Sequence, residues 1–397
     1  MKPQLIALPL ASLTAVGLLA SDLYLPALPA MGAELHASVP SAQATMALFM
    51  IALALSQLVW GWAADHFGDR TTILFGTALL AGGSLLCALA PDIGAMLAGR
   101  LVQGLGAGAA TVAVPALIRR RFSEADSVKA LAMVAMAEST IPALGPAVGA
   151  AIVLYADWRL TFWVIAALSL LLMPLAARIV GSSPAKRTTS RLGADRGALL
   201  LVYTPLLRNR GYLRFALSYA LMFGALLMFV ASAPVIVSLS MGLSIRAFAV
   251  LQICGVLAFM VGATVAMHRV TQWGPENLLR TGSGLQMLAG FIMTWLAWED
   301  SFNHLELTAL WALFCAGLGI RGPSTMAGAL QAAGEDAGKG AGLTMFLSFA
   351  AVAGATMLVA PLLPLGLLWP AVLLTVMSVA STMLLPESVR TWEVGKR

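Results

Sequence analysis

Charge is what this chain most conspicuously lacks. Only 11% of its 397 residues are charged while 60% are hydrophobic, against roughly 25% charged in an ordinary soluble domain. A water-soluble fold could not hide that much apolar surface. Cysteine is scarce as well: Cys87, Cys254 and Cys315 each lie inside an apolar block, with no CxxC or Cys/His pairing, which excludes a metal pair and a disulfide framework. The four histidines, His36, His66, His268 and His304, fall in loops without ligand spacing. No Ser/His/Asp set, HExxH or Walker loop appears, so neither hydrolytic chemistry nor ATP-driven work by this chain alone is expected. The run Gly104-Leu-Gly106-Ala-Gly108-Ala109 fits a loose dinucleotide pattern, but it lies within an apolar span with no strand before it and no acid after it. Close helix packing explains it better.

What is present is a series of apolar blocks of about 20 residues, the length that crosses hydrocarbon. They run near 5–31, 41–63, 72–90, 94–118, 128–154 and 160–178, and again near 212–239, 247–267, 277–298, 305–331, 341–363 and 367–385. The opening run resembles a signal peptide only superficially: no small-residue cleavage site follows, and the block continues through Asp22 to Pro26. Between the two sets lies Ile179 to Gly211, the longest polar stretch, with Lys186, Arg187, Arg191, Arg196, Arg208 and Arg210. Organisation is therefore expected as a bundle over 1–178, a linker over 179–211 and a second bundle over 212–397. Within the linker, Ala198 to Leu207 is apolar but too short to cross, and it is expected to lie along the inner membrane surface.

The net charge of +6 does not signal nucleic acid, because the basic residues sit in loops between apolar blocks. They set orientation. With the N-terminus cytoplasmic, 20 of the 24 lysines and arginines fall on that side, only Arg159 and Arg246 fall outside, and Arg100 and Arg321 lie within spans. Basic residues are retained on the cytoplasmic side, so both termini are expected there. Trp60, Trp62, Trp158, Trp273 and Trp298 lie near span ends, as interfacial anchors do. The 20 methionines are packing or lipid-facing residues, with an adaptable cavity lining as the alternative.

The loop after the second span reads Gly61-Trp-Ala-Ala-Asp65-His-Phe-Gly68-Asp69-Arg70. Gly61 is expected to let helices approach, Gly68 to allow a tight turn, and Asp65 with Arg70 to form charge contacts that make and break at the rim. The corresponding place in the second half, Gly262 to Gly274 with Arg269, keeps glycine and a basic residue but no matching acid. This loop resembles the GxxxDxxGxR signature of the major facilitator superfamily, as does the division into six and six spans around a basic linker. The resemblance implies an all-α integral membrane fold, twelve transmembrane helices in two pseudo-symmetric six-helix bundles.

Further segments narrow the likeness. Ser21-Asp22-Leu-Tyr24-Leu-Pro26-Ala-Leu-Pro29, Gln57-Leu-Val-Trp-Gly61, Arg100-Leu-Val-Gln103-Gly104, Pro142-Ala-Leu-Gly145-Pro146-Ala-Val-Gly149 and Leu207-Arg-Asn-Arg210 resemble the bicyclomycin and chloramphenicol resistance (Bcr/CflA) branch of drug exporters. Ala150, Asp69 and Arg321 depart from that branch's pattern. The resemblance implies a bacterial-type inner membrane, efflux of small amphipathic compounds against protons, and no cofactor beyond the proton gradient. The partners implied are a small-molecule substrate, protons and the lipid bilayer. Nothing in the sequence calls for nucleic acid, a metal or more than a monomer.

Charges within spans cost roughly 2.5–3.5 kcal/mol each on insertion scales, so each needs a partner, a wet cavity or a function. Four stand out: Asp22, Glu138, Arg100 and Arg321. Asp22 is expected to carry the coupling proton; the bland alternative is a solvated acid at a helix end. Glu138 shares a helical face with Pro142, Gly145 and Gly149, a face that in the resembled family packs between the halves and is associated with antiport. It is read as a recognition or second protonation group, or as half of an ion pair. Arg100, always charged, is a charge partner or substrate contact, with Tyr24 and Gln103 beside it in their motifs. Arg321, next to Pro323, either neutralises Asp22 or Glu138 or binds an anionic substrate group. That leaves two transport readings, export of amphipathic compounds and movement of an anionic metabolite or siderophore. An intramembrane enzyme and a sensory receptor lack a catalytic pair and an output domain.

Overall fold

The structure is a computed structural model describing residues 3–180 and 203–385; the side chains of 3–7, Asp65, Pro142 and several other residues of the fifth span lie outside the description. Most of the linker, including 198–202 of its apolar stretch, also lies outside it. The described helices are α1 (Pro3–Asp22), α2 (Leu28–Glu34), α3 (Val39–Phe67), α4 (Asp69–Ala88), α5 (Ile93–Arg121), α6 (Glu124–Tyr155), α7 (Arg159–Val180), α8 (Thr204–Arg208), α9 (Arg210–Val235), α10 (Ile245–Trp298), α11 (His304–Ala333), α12 (Ala337–Val359) and α13 (Leu368–Leu384). α10 turns at Gly274 (φ 71°) into two limbs. With α1 and α2 forming one span and α8 too short to cross, these supply the twelve transmembrane helices.

Local sequence explains the breaks. A proline lacks the N–H donor and its ring meets the carbonyl four residues back, so Pro26 ends α1 at Asp22. A short 3-10 turn, Leu25–Ala27, then leads into α2. The first span is thus interrupted where a continuous helix over 5–31 is the expectation. Gly68 (φ 82°) makes the turn from α3 into α4, and Gly274 repeats that left-handed backbone in the second half. Asp92 caps α5 by accepting from the Ala95 N–H (2.9 Å), and Asn303 with Glu306 forms a reciprocal capping box on α11.

The chain divides into two compact units. The first comprises residues up to 190 with 231–249 and 356–364. In it α4 packs on α5 and α7, α3 on α5, and α1 on α5, α6 and α7. Its core gathers Leu10, Ile73, Val114, Leu117, Ile118 and Val134. The glycines of α5 are the contact points: an added Cβ would lie 2.4 Å from the Phe49 carbonyl at Gly104, 2.3 Å from the Leu80 amide at Gly106 and 1.9 Å from the Ser56 hydroxyl at Gly108. Without a hydrophobic drive between lipid-bathed helices, such backbone contact is what holds them. Gly61 does not share this role. Its nearest neighbour would be Val112 Cγ1 at 3.9 Å, an ordinary contact, so close approach falls to the α5 glycines instead.

The second unit comprises 191–230, 250–355 and residues from 365 onward. Gly262 sits against the Ala316 carbonyl and Gly319 against that of Phe259, joining the first limb of α10 to α11. Tyr212 of α9 donates to the Gly340 carbonyl at 2.7 Å. The side chain of Leu206 in α8 is buried in the core of this unit. Outward, large apolar side chains such as Leu171, Phe291, Trp295 and Met383 are exposed, which suits a bilayer and not water. Two of the tryptophans expected as interfacial anchors are instead buried: Trp60 donates to the Leu105 carbonyl (2.7 Å) and Trp158 to Glu34 Oε2 (2.7 Å). Each found an acceptor within the protein, which is the more stable berth for an indole N–H. Trp62, Trp273 and Trp298 are exposed.

Candidate functional site

In the first unit the motif residues converge on Arg100, which is fully buried near the start of α5. Its Nε donates to the Thr45 carbonyl (3.2 Å) and Nη1 to the Ala20 carbonyl (2.9 Å) and to Gln103 Oε1. Gln103 in turn donates to Ser84 Oγ at 2.8 Å. The guanidinium lies 4.1 Å from the Tyr24 ring centroid and 4.2 Å from that of Phe49. Desolvated cation–π contacts of this kind contribute about 2 kcal/mol. Tyr24 is fixed from its other end by a hydroxyl contact with Thr45 (3.1 Å). The Ala20 carbonyl is one that the interruption of α1 leaves free to accept, so Pro26 helps to build the arginine site.

Asp22 is buried at the last residue of α1, where its Oδ1 accepts from Ser21 Oγ (2.8 Å). It is not among the acceptors of Arg100. Its Cβ instead packs on α6: a Cβ at Gly145 would lie 2.9 Å from it. One turn on, a Cβ at Gly149 would fall 1.9 Å from the Leu23 carbonyl. Glu138 is half-buried, with the Thr14 side chain of α1 beside its carboxyl. The described contacts of the Glu138–Gly145–Gly149 face therefore go to α1, within the first unit, in place of an opening. Small residues there let the two backbones close up. Thr14 stands level with Glu138 and Asp22 with Gly145, so α1 and α6 run parallel. At 1.5 Å per residue the two acids stand about 12 Å apart along one seam. Pro146 is buried on the same helix.

This seam yields a test. Gly149→Ala places a methyl against a backbone carbonyl that cannot rotate away. The expected cost is about 1–3 kcal/mol, read as a lowered unfolding midpoint in detergent. A wild-type midpoint would show that α1 and α6 separate freely.

At the α3–α4 turn, Arg70 is exposed and the Asp65 side chain lies outside the described residues. The ion pair the structure does bring together is Asp69 with Arg120. Asp69 is buried in the first turn of α4 and Arg120 stands in the last turn of α5, each at the helix end whose dipole favours its charge. Asp69 entered the sequence reading only as a departure from a motif; the cue that identifies it is an acid directly after a turn glycine. Glu34 pairs with Arg159, which also stacks on Trp158 at 4.2 Å.

Arg321 belongs to the second unit, on α11, and is fully buried. Its partners within that unit are Ser218, Gln286, Ser381 and Thr382. α11 runs unbroken through Pro323. The hydroxyl and amide partners were missed because only charges were sought within spans, whereas uncharged polar residues deep in an apolar block are also informative. Among the described residues no cluster of metal-ligating side chains occurs.

The chain belongs to the Major Facilitator Superfamily, whose family model matches residues 10–356. It is a multi-pass membrane transporter by that membership. It is 26% identical over 344 residues to the multidrug resistance protein MdtL of Escherichia coli O45:K1 (strain S88), covering 84% of this chain and 85% of that one. It is 27% identical over 300 residues to MdtL of Salmonella heidelberg (strain SL476), covering 75% and 74%. Among solved structures, a D-xylose–proton symporter superposes with a TM-score of 0.73 at 13% identity over 96% of this chain and 98% of that one, a likeness of fold.

Proposed function

We propose that this chain is a proton-coupled exporter of small amphipathic compounds, working by alternating access from a bacterial-type inner membrane with both termini cytoplasmic. The observation that carries the reading is Asp22, a buried carboxyl at the point where α1 breaks, held by one hydroxyl and unpaired with the arginine nearby. An acid so placed exchanges a proton without dismantling an ion pair. Arg100, clamped by carbonyls and rings, supplies a fixed positive field beside it, and Tyr24 and Gln103 keep that field in position. Glu138, further along the same seam, is the second protonation group. The two-unit organisation, with a turn at Gly68 and the Asp69–Arg120 pair at one rim, suits two bundles that rock against each other. The named relatives, both multidrug resistance proteins, support efflux of varied compounds. The test is a transport screen in proteoliposomes with an imposed pH gradient, comparing cationic, neutral and anionic compounds. Accumulation driven by the gradient is the expected result. Chemical turnover without translocation, or transport indifferent to the gradient for every class, overturns the reading.

A further inference from the structure

Arg321 is the second buried cation of this transporter, and its housing differs in kind from that of Arg100. Nη2 donates to Ser218 Oγ of α9 (2.8 Å) and Ser381 Oγ of α13 (2.7 Å); Nη1 donates to Gln286 Oε1 of α10 (3.1 Å) and Thr382 Oγ1 (3.4 Å). The two serines interlock, each hydroxyl also donating to the other's carbonyl at 2.7 Å. Gly282 and Gly317 bring α10 and α11 into backbone contact beside the arginine, where a Cβ at Gly282 would lie 2.7 Å from Arg321 Cβ. The guanidinium of α11 is thus held by three other helices of the same unit.

Every acceptor in this shell is neutral. None of the partners of Arg321 is an acid. Among the described residues, three further buried groups able to donate, Arg321 Nε, Gln286 Nε2 and Ser283 Oγ, find no hydrogen-bond partner. Ser283 and Gln286 are three residues apart on α10 and so share a face. A buried positive charge surrounded by idle donors is an electrostatic surplus, and its complement is an anion. One fixed cation balances a single negative charge, which favours a carboxylate over a dianionic phosphate. The same helix as Ser218 carries an aromatic strip: Tyr219 stacks on Phe223 (centroids 6.1 Å, 11°), which meets Phe349 edge-on at 6.1 Å. Tyr219 and Phe223 are half-buried on the side of α9 away from Leu213, Leu217 and Leu221.

We propose that Ser218, Ser283, Gln286, Arg321, Ser381 and Thr382 form a binding site for the carboxylate of an amphipathic organic acid, whose apolar body lies along the Tyr219–Phe223 strip. This rests on the exporter reading above and names one class of its substrates.

The experiment uses full-length protein in lipid nanodiscs, in chloride-free buffer, with radiolabelled benzoate in equilibrium dialysis. Benzamide serves as the uncharged analogue and chloride as the inorganic competitor. Saturable benzoate binding is expected, with benzamide at least about tenfold weaker, because charge-assisted hydrogen bonds separate the two. Gln286→Glu sets a carboxylate against Arg321 with little change of shape. It is expected to weaken benzoate binding at least about tenfold while the melting point stays at or above wild type, so the idea survives a misfolded Arg321→Gln. Equal binding of benzamide, undiminished benzoate binding in Gln286→Glu, or a site that chloride fills in preference to benzoate each overturns it. In proteoliposomes, Gln286→Glu is expected to lose the benzoate export that the wild type carries out alongside export of a neutral compound. Failure of the wild type to move either compound against a pH gradient counts against the exporter reading, whereas the dialysis result judges the carboxylate site by itself.

Discussion

Asp22→Asn is expected to lower pH-driven accumulation of substrate by about tenfold for each unit of pH gradient, with the membrane potential clamped at zero. One coupled proton contributes about 1.4 kcal/mol per pH unit, which is a tenfold concentration ratio. The asparagine keeps the Oδ1 that accepts from Ser21 and the Cβ that rests on Gly145, so packing along the α1–α6 seam persists and only the exchangeable proton is lost. Exchange of labelled for unlabelled substrate at zero gradient should therefore continue. Glu138→Gln provides the comparison. If both acids carry protons, the double variant loses a further factor of about ten; if Glu138 serves only to bind Thr14, its single variant behaves as wild type at every pH. Undiminished coupling in Asp22→Asn would remove Asp22 from the mechanism.

Arg100→Ala is the substitution expected to damage the protein most. It leaves the carbonyls of Ala20 and Thr45 and the amide oxygen of Gln103 without their donor, and it opens a gap between the Tyr24 and Phe49 rings. Each buried acceptor left without its donor costs about 1–3 kcal/mol, and here the loss unties α1, α3 and α5 at one point. Arg100→Lys retains the charge but cannot serve three acceptors lying in different directions from one plane, so an intermediate loss is expected. Unfolding midpoints in detergent, read by intrinsic fluorescence or size-exclusion recovery, would rank wild type above lysine above alanine. An alanine variant as stable as wild type would mean that this cluster does not hold the bundle, whatever it does in transport.

The contrast between the two arginines shows where sequence reasoning reached and where it stopped. Both were identified from composition, because a charge in hydrocarbon demands a reason. Their surroundings were not. Arg100 lies among residues whose motifs the sequence shows, Tyr24 and Gln103, yet Phe49 and the Ala20 carbonyl lie outside those motifs. Arg321 was weighed as a partner for Asp22 or Glu138, and it turned out to belong to a separate unit with neutral partners. The fifth-span face was expected to look toward an opening, and its described contacts go to α1. Its glycines remove the side chains that would hold the two helices apart, and Asp22 and Leu23 occupy the space. Gly61 and Gly68 stand in one motif, but only Gly68 has the left-handed backbone that requires glycine.

What the sequence by itself determined is the inventory and the order of elements: twelve apolar segments, the polar stretch between the sixth and seventh, and the turn that glycine makes at Gly68. Those follow from local chemistry, since hydrocarbon leaves the backbone no partner but itself and a turn of positive φ calls for glycine. Only the tertiary structure decided which segments lie side by side, and hence that Asp69 meets Arg120, that Thr14 meets Glu138, and that Ser218, Gln286 and Ser381 enclose Arg321. The reason is that helix faces in a bilayer are chosen by close packing and by the need of each buried polar atom for a partner. Both depend on three-dimensional complementarity between segments far apart in the chain, which no local pattern records.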